Sequence, residues 1–216
     1  MTRKVITVLR TLALIVIVAA LLHECAIAAP PSAAVSVPAA SARYRIALER
    51  EVAANFGVAA PTARVAAQIH QESIWRPAAK SAYAIGLSQF TVPTAEWLPT
   101  VCPSVGPPDP WDADWSIRAI ACYDAWIYKR VRAATECDRW AFVLSAYNGG
   151  IGWIPRDRAL AVADGADPML WWGHVEHYST RAKHHMKENR SYPRRILWLL
   201  EPAYIRAGWP GAAVCT

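Results

Sequence analysis

The run Pro61-Thr62-Ala63-Arg64-Val65-Ala66-Ala67-Gln68-Ile69-His70-Gln71-Glu72-Ser73-Ile74-Trp75-Arg76-Pro77 carries apolar residues at helical intervals, with Val65, Ala66 and Ile69 on one side. Pro61 suits the first position of a helix, where a missing N–H is no loss. Pro77 disfavours helical geometry at Arg76, so the helix must end between Glu72 and Arg76. Glu72 is therefore a lone carboxylate at the polar end of an apolar helix, just ahead of a forced exit.

Outward from this helix the patterning repeats. Residues 41–56 carry Tyr44, Ile46, Leu48 and Val52 among charges, and Gly57 supplies a stop. Residues 76–99 are broken by Gly86 and prolines and read as loops and short helical turns, and 99–110 form a Pro/Gly-rich connector. Asp112 or Asp114 caps a long helix whose face is Trp115, Ile117, Ala119, Ile120, Tyr123, Ile127 and Val131. Further helices are expected over 138–147, stopped by Gly149-Gly150, over 156–163 and 168–178, and over 192–207 before Gly208. With no hairpin signal and no internal repeat, the fold class is all-α.

Arg3, Lys4 and Arg10 precede an apolar run at 12–22, and Ala26-Ile27-Ala28 supplies the small-x-small pattern that a signal peptidase reads. The run falls short of the about 20 apolar residues of a membrane span. Residues 1–28 are expected to be a cleaved Sec export signal, with an uncleaved inner-membrane anchor as the second reading. Cys25 follows the bulky Leu22 and charged Glu24, neighbours unsuited to a lipoprotein signal. Residues 29–42, rich in Pro, Ala, Ser and Val and free of charge, read as a linker, leaving 43–216 as one domain.

Export would leave Cys102, Cys122, Cys137 and Cys215, an even count that points to an oxidising compartment and two disulfides. Of three pairings, Cys102–Cys122 with Cys137–Cys215 is favoured. The spacing fits no zinc motif, and His174, His177, His184 and His185 lack an acidic or thiol partner, so no metal and no cofactor are expected. Removing 1–28 takes away three Lys/Arg and one Glu and lowers the formal charge from +6 to +4. That mild balance suits a polyanionic wall, and no Lys/Arg stripe marks nucleic acid as a partner.

Three motifs follow Glu72-Ser73 in order: Gly86-Leu87-Ser88-Gln89, Ala146-Tyr147-Asn148-Gly149-Gly150 and Glu188-Asn189-Arg190-Ser191-Tyr192. Singly, each has a plain reading as a solvated helix-end glutamate, a turn, or a helix C-terminus with an Asn-Gly turn. In this order they resemble the soluble lytic transglycosylase family, relatives of goose-type lysozyme that cut peptidoglycan. The resemblance covers 43–208 and implies the lysozyme-like α architecture. It also implies that Glu72 is the catalytic residue, acting first as acid and then as base. The bond cut would join N-acetylmuramic acid to N-acetylglucosamine, and the product would be an anhydromuramyl end. A carboxyl can hold its proton near pH 7 when burial penalises its charged form, so the chemistry is coherent.

By the same resemblance Ser73, Gln89, Tyr147, Asn148 and Tyr192 serve the substrate, with the Tyr192 phenol near the catalytic carboxyl and Asn148 holding a reacting group. Glycine at 86 would let the backbone approach a sugar. Ser88 stands where the family has Met and loses a thioether contact to the glycan. Pro193 stands where a β-branched residue is usual and reads as a helix start. Glu188 is assigned loop support. Among the eleven tryptophans, most are expected in the core, and Trp75 is expected to line the groove beside Glu72.

Glycosidases commonly use two acids, yet 74–95 contain no Asp or Glu. A distant Asp would make the same scaffold a lysozyme-type muramidase, and a catalytically silent glycan-binding module is the third reading. Peptidoglycan strands are the implied partner, in the periplasm or outside the cell. Family members also serve secretion and lysis apparatus.

Overall fold

The computed structural model describes residues 35–215. The expected export segment and the first residues of the linker lie outside the described residues. The described residues form α1 (Arg45–Phe56), α2 (Thr62–Ser73), α3 (Val92–Trp97), α4 (Ala113–Arg130), α5 (Glu136–Gly149), α6 (Trp153–Ala163), α7 (Lys183–Arg195) and α8 (Glu201–Arg206). Short 3-10 turns punctuate the chain, and a π-helical segment, Ile196–Leu200, joins α7 to α8. Strand pairing among the described residues is limited to the bridges Lys80–Ile85 and Ile85–Phe90. The class is all-α, as the patterning implied.

Helix α2 is the axis of the core. Every side chain from Thr62 to His70 is buried, well beyond the single apolar side that Val65, Ala66 and Ile69 suggest. It packs on α8 and the π segment, while α1 packs on α4 and α5 on α7. Arg64 is accommodated by an ion pair with Glu201 at 2.6 Å and by the face of Trp140 at 4.5 Å from the ring centre. Both partners are buried, so removing one alone would strand a charge at a cost of about 3–5 kcal/mol.

Local chemistry sets the helix ends. The Asp112 side chain accepts from the Trp115 amide at 2.6 Å, and Thr135 accepts from Asp138 at 3.1 Å, caps whose loss costs about 1 kcal/mol each. Gly150, at φ 94°, closes α5 in a conformation that favours glycine.

Three expectations are corrected. Residues 168–178 hold only the turn Val175–His177, because Asp138 accepts from the Trp171 and Trp172 amides at 2.8 and 3.2 Å and fixes a loop. The last long helix starts at Lys183, and Pro193 sits inside it rather than opening it. Proline lacks the N–H that would reach back to Asn189, and the helix widens into the π segment just beyond. The linker is also shorter than expected, since Val35 and Val37 pack on the core and Ser41 is buried in the turn Ala39–Tyr44.

Two disulfides, Cys102–Cys122 and Cys137–Cys215, follow the favoured pairing, with Cα atoms 6.1 and 4.9 Å apart. The second ties the C-terminal tail to α5. That tail crosses the start of α2, where Pro210 accepts from the Ala63 amide at 2.7 Å and Ala212 accepts from Arg64 at 3.1 Å. Among the described residues no helix is long and apolar enough to cross a membrane.

Candidate active site

Helix α2 ends in two consecutive left-handed residues, Ile74 at φ 54° and Trp75 at φ 61°. A β-branched residue in that region is strained; Ile74 is itself exposed, and burial of the adjacent Trp75 holds the turn. Trp75 is folded back into the core, stacked near Tyr44, with its indole N–H donating to the Tyr204 hydroxyl at 2.5 Å. The expectation that Trp75 lines the groove is therefore wrong: the ring is 1% exposed, and it serves as an anchor for the helix end. Ser73 is likewise turned inward, its hydroxyl donating to the Ile69 carbonyl of its own helix at 3.3 Å.

Glu72 projects the other way, into a cleft of about 750 Å³. Around it the cleft gathers Gln89 from the loop before α3, Tyr147 and Asn148 from the end of α5, and Tyr192 from α7. The Tyr192 hydroxyl donates to Glu72 Oε1 across 120 residues of sequence. Burial is the main influence on Glu72 and pushes its pKa up to about 8; the Tyr192 hydrogen bond opposes this, and the nearby carboxyls of Asp124 and Glu188 add to it. The carboxyl thus carries its proton at neutral pH. Burial and the neighbouring Glu72 also hold the Tyr192 phenol well above its ordinary pKa, so it remains a donor.

The amide and phenol groups are partly committed. Gln89 donates its amide N–H groups to the Ala79 and Gly86 carbonyls at 3.1 and 2.8 Å, which leaves its oxygen for a ligand. The Asn148 oxygen accepts from Asn189 at 2.9 Å, which leaves its NH₂. Tyr147 donates to the Ser88 carbonyl at 2.8 Å and presents its ring.

Two of the glycines of these motifs, Gly86 and Gly149, make room for protein rather than sugar. A Cβ on Gly86 would meet the Pro110 carbonyl at 1.7 Å, and one on Gly149 would meet Arg181 at 2.3 Å. Ser88 is buried, donating to the Ser116 carbonyl at 3.1 Å, so position 88 does not face the cleft.

Several cleft residues escaped the sequence reading. Tyr83, exposed, and Trp153, half-buried, supply the aromatic surface assigned to Trp75, Arg181 adds positive charge and His185 an imidazole. Trp153 directly follows the Gly149-Gly150-Ile151-Gly152 turn, a signal that could have found it. Asp124 is a second buried acid behind Glu72, but it does not line the cleft; Gln68 donates to it at 3.3 Å. A hollow of similar size at the other end of α2 shares no lining residue with the cleft.

The family model described as Transglycosylase SLT domain matches residues 50–167. The chain is also similar to proteins named membrane-bound lytic murein transglycosylase F. It is 36% identical to that of Shewanella denitrificans over 110 residues, 50% of this chain and 21% of the relative. It is 38% identical to that of Vibrio cholerae over 109 residues, 50% of this chain and 19% of the relative. It is 40% identical to that of Maricaulis maris over 109 residues, 50% of this chain and 22% of the relative. The chain thus matches about a fifth of the length of these relatives.

Proposed function

The chain belongs to the Transglycosylase SLT domain family, and from that premise we propose that it is a peptidoglycan lytic transglycosylase with Glu72 as its single acid and base. The observation that carries this reading is the Glu72–Tyr192 contact inside the cleft, with Glu72 protonated at neutral pH. Glu72 gives its proton to the oxygen linking N-acetylmuramic acid to N-acetylglucosamine, and the bond from that oxygen to the muramyl anomeric carbon breaks. The resulting carboxylate keeps the Tyr192 hydrogen bond, which favours the charged form. It then takes the proton of the muramyl 6-hydroxyl as that oxygen bonds to the anomeric carbon, closing the anhydro ring. The proton is returned and no water is consumed.

Gln89 and Asn148 orient the acetamido and hydroxyl groups through their free oxygen and NH₂, and Tyr83 and Trp153 offer ring faces to the sugars. Two disulfides and relatives named as membrane-bound murein enzymes support action outside the cytoplasm, in the periplasm, with peptidoglycan as the partner. Attachment to the inner membrane through the N-terminal segment, or to a secretion or lysis apparatus, belongs to the same reading.

Glu188, exposed on the cleft wall, favours one second reading, a muramidase in which it directs water. Mass spectrometry of muropeptides released from purified sacculi separates the two. Transglycosylation yields anhydromuramyl products one water lighter than hydrolysis products, and none with Glu72→Gln. Reducing-end muramic acid would mean a muramidase, and wild-type release by Glu72→Gln would sink both readings.

A further inference from the structure

Behind the cleft wall, two guanidinium groups share one carboxylate oxygen. Arg181 and Arg190 both reach Asp157 Oδ2, at 2.8 and 2.9 Å. The side chains are 6%, 11% and 0% exposed, so the cluster holds a net positive charge largely out of water. The next acid, Glu176, is taken by Arg194 at 2.9 Å. The remaining hydrogen-bond partners of Arg190 are neutral: the Glu176 and Tyr178 carbonyls, the Asn189 oxygen and the Ser145 hydroxyl. Burial and the charge of Arg181 both press the Arg190 pKa down, against the pull of Asp157 and of Glu176. Buried charge is ordinarily balanced. Here three guanidinium groups share two acids, Asp157 and Glu176, which leaves one positive charge in excess.

The uncompensated charge is aimed. Arg181 is held by Asp157 and by the Ser179 hydroxyl, 3.1 Å from Nε, and its guanidinium lies 5.1 Å from the centre of the Trp153 ring. Its Nη1 sits over Gly149, where a Cβ would strike it. Arg181 and His185 both line the cleft that holds Glu72. Asn189, which meets the same space over Gly149, lies one turn of α7 before Tyr192.

We propose that Arg181, backed by Asp157 and flanked by His185, is a carboxylate-binding residue of the cleft and selects peptidoglycan strands by the acid they carry. This rests on the proposed peptidoglycan substrate. The sugar rings of the strand are uncharged; its carboxylates belong to stem peptides or, once the peptide is removed, to the lactyl group of muramic acid. A guanidinium fixed on one edge by Asp157 presents its other N–H groups for charge-assisted hydrogen bonds.

The test reads binding rather than cleavage, in Glu72→Gln protein with and without Arg181→Gln. The ligands are peptide-bearing glycan fragments, peptide-free fragments with lactyl carboxylates, and neutral N-acetylglucosamine oligomers. Arg181→Gln is expected to weaken acidic ligands relative to neutral ones by about tenfold. Loss on peptide-bearing fragments alone identifies a stem-peptide carboxylate, loss on peptide-free acidic fragments alone identifies the lactyl group, and loss on both shows that Arg181 takes either carboxylate. Equal weakening of all three ligands, or of none, overturns the proposal. If Arg181→Gln does not fold, salt dependence carries the test. Raising salt from about 0.05 to about 0.5 M should weaken acidic ligands more than neutral ones, and an equal response overturns it. Absence of any glycan binding in the Glu72→Gln parent would overturn this inference and the substrate reading together. Intact binding without preference for acid overturns this inference alone.

Discussion

Glu72 and Asp124 are two carboxyls of similar proton affinity in opposite settings. Burial pushes each up to about 8. Glu72 faces the cleft, with its Oε1 held by Tyr192 and the site open to a ligand. Asp124 is fully enclosed on α4, where Gln68 donates to Oδ1 and Arg64 exerts a weaker pull. Asp124 Oδ2 and Gln68 Oε1 are both buried and have no partner while the acid is ionised. A proton on Oδ2 supplies the missing donor, so the neutral acid suits that enclosure. A raised pKa alone therefore does not mark a catalytic group. Access to a ligand, and a neighbour that stabilises the anion when it forms, separate the proposed catalytic acid from the structural one.

The largest effect should fall on activity. Glu72→Gln is expected to lower the initial rate of sacculus cleavage by about 10²–10⁴-fold, and Asp124→Asn by less than about tenfold. Comparable losses from the two substitutions would break the distinction. Next come the tethers. Cys137–Cys215 closes a span of 78 residues and pins the tail beside Arg64, whereas Cys102–Cys122 closes 20. Replacing each pair by alanine should cost about 4 and about 3 kcal/mol in denaturant unfolding, and a reversed order would count against the tail as a clasp on the start of α2.

The last effect is a slope. Asp124 binds its proton more tightly folded than unfolded, so the folded state holds the extra proton between pH 4 and 8. Its contribution to stability is complete below about pH 4 and is lost as pH rises to about 8, by at most about 1.4 kcal/mol per pH unit. Asp124→Asn cannot titrate and can still pair with both ends of Gln68, so its stability should fall less over that window. An unchanged slope, read from urea unfolding across pH, would mean that Asp124 is ionised when folded.

Much of this was readable along the chain, for local reasons. Pro61, Pro77 and the period of Val65, Ala66 and Ile69 delimit α2, and Asp112 marks the start of α4. The motif order brought Glu72, Gln89, Tyr147, Asn148 and Tyr192 to one cleft. Proximity in sequence misled at Ser73, because successive residues of a helix point to different sides, and at Trp75, because left-handed residues at 74 and 75 turn the chain back into the core. It misled again at Pro193, where packing of α7 on α5 carries the helix through a residue that disfavours it.

Residue types, helical period, caps and cysteine count determined the helical class and the one acid worth suspecting, since those properties act within a turn or two of chain. Which side chains face the cleft was decided only in three dimensions. Trp75 is held inward by Tyr204, 129 residues away, and Arg181 is held at the wall by Asp157, 24 residues away. Burial and charge balance depend on neighbours that local sequence does not contain, and those neighbours make Glu72 an acid and leave Arg181 short of an anion.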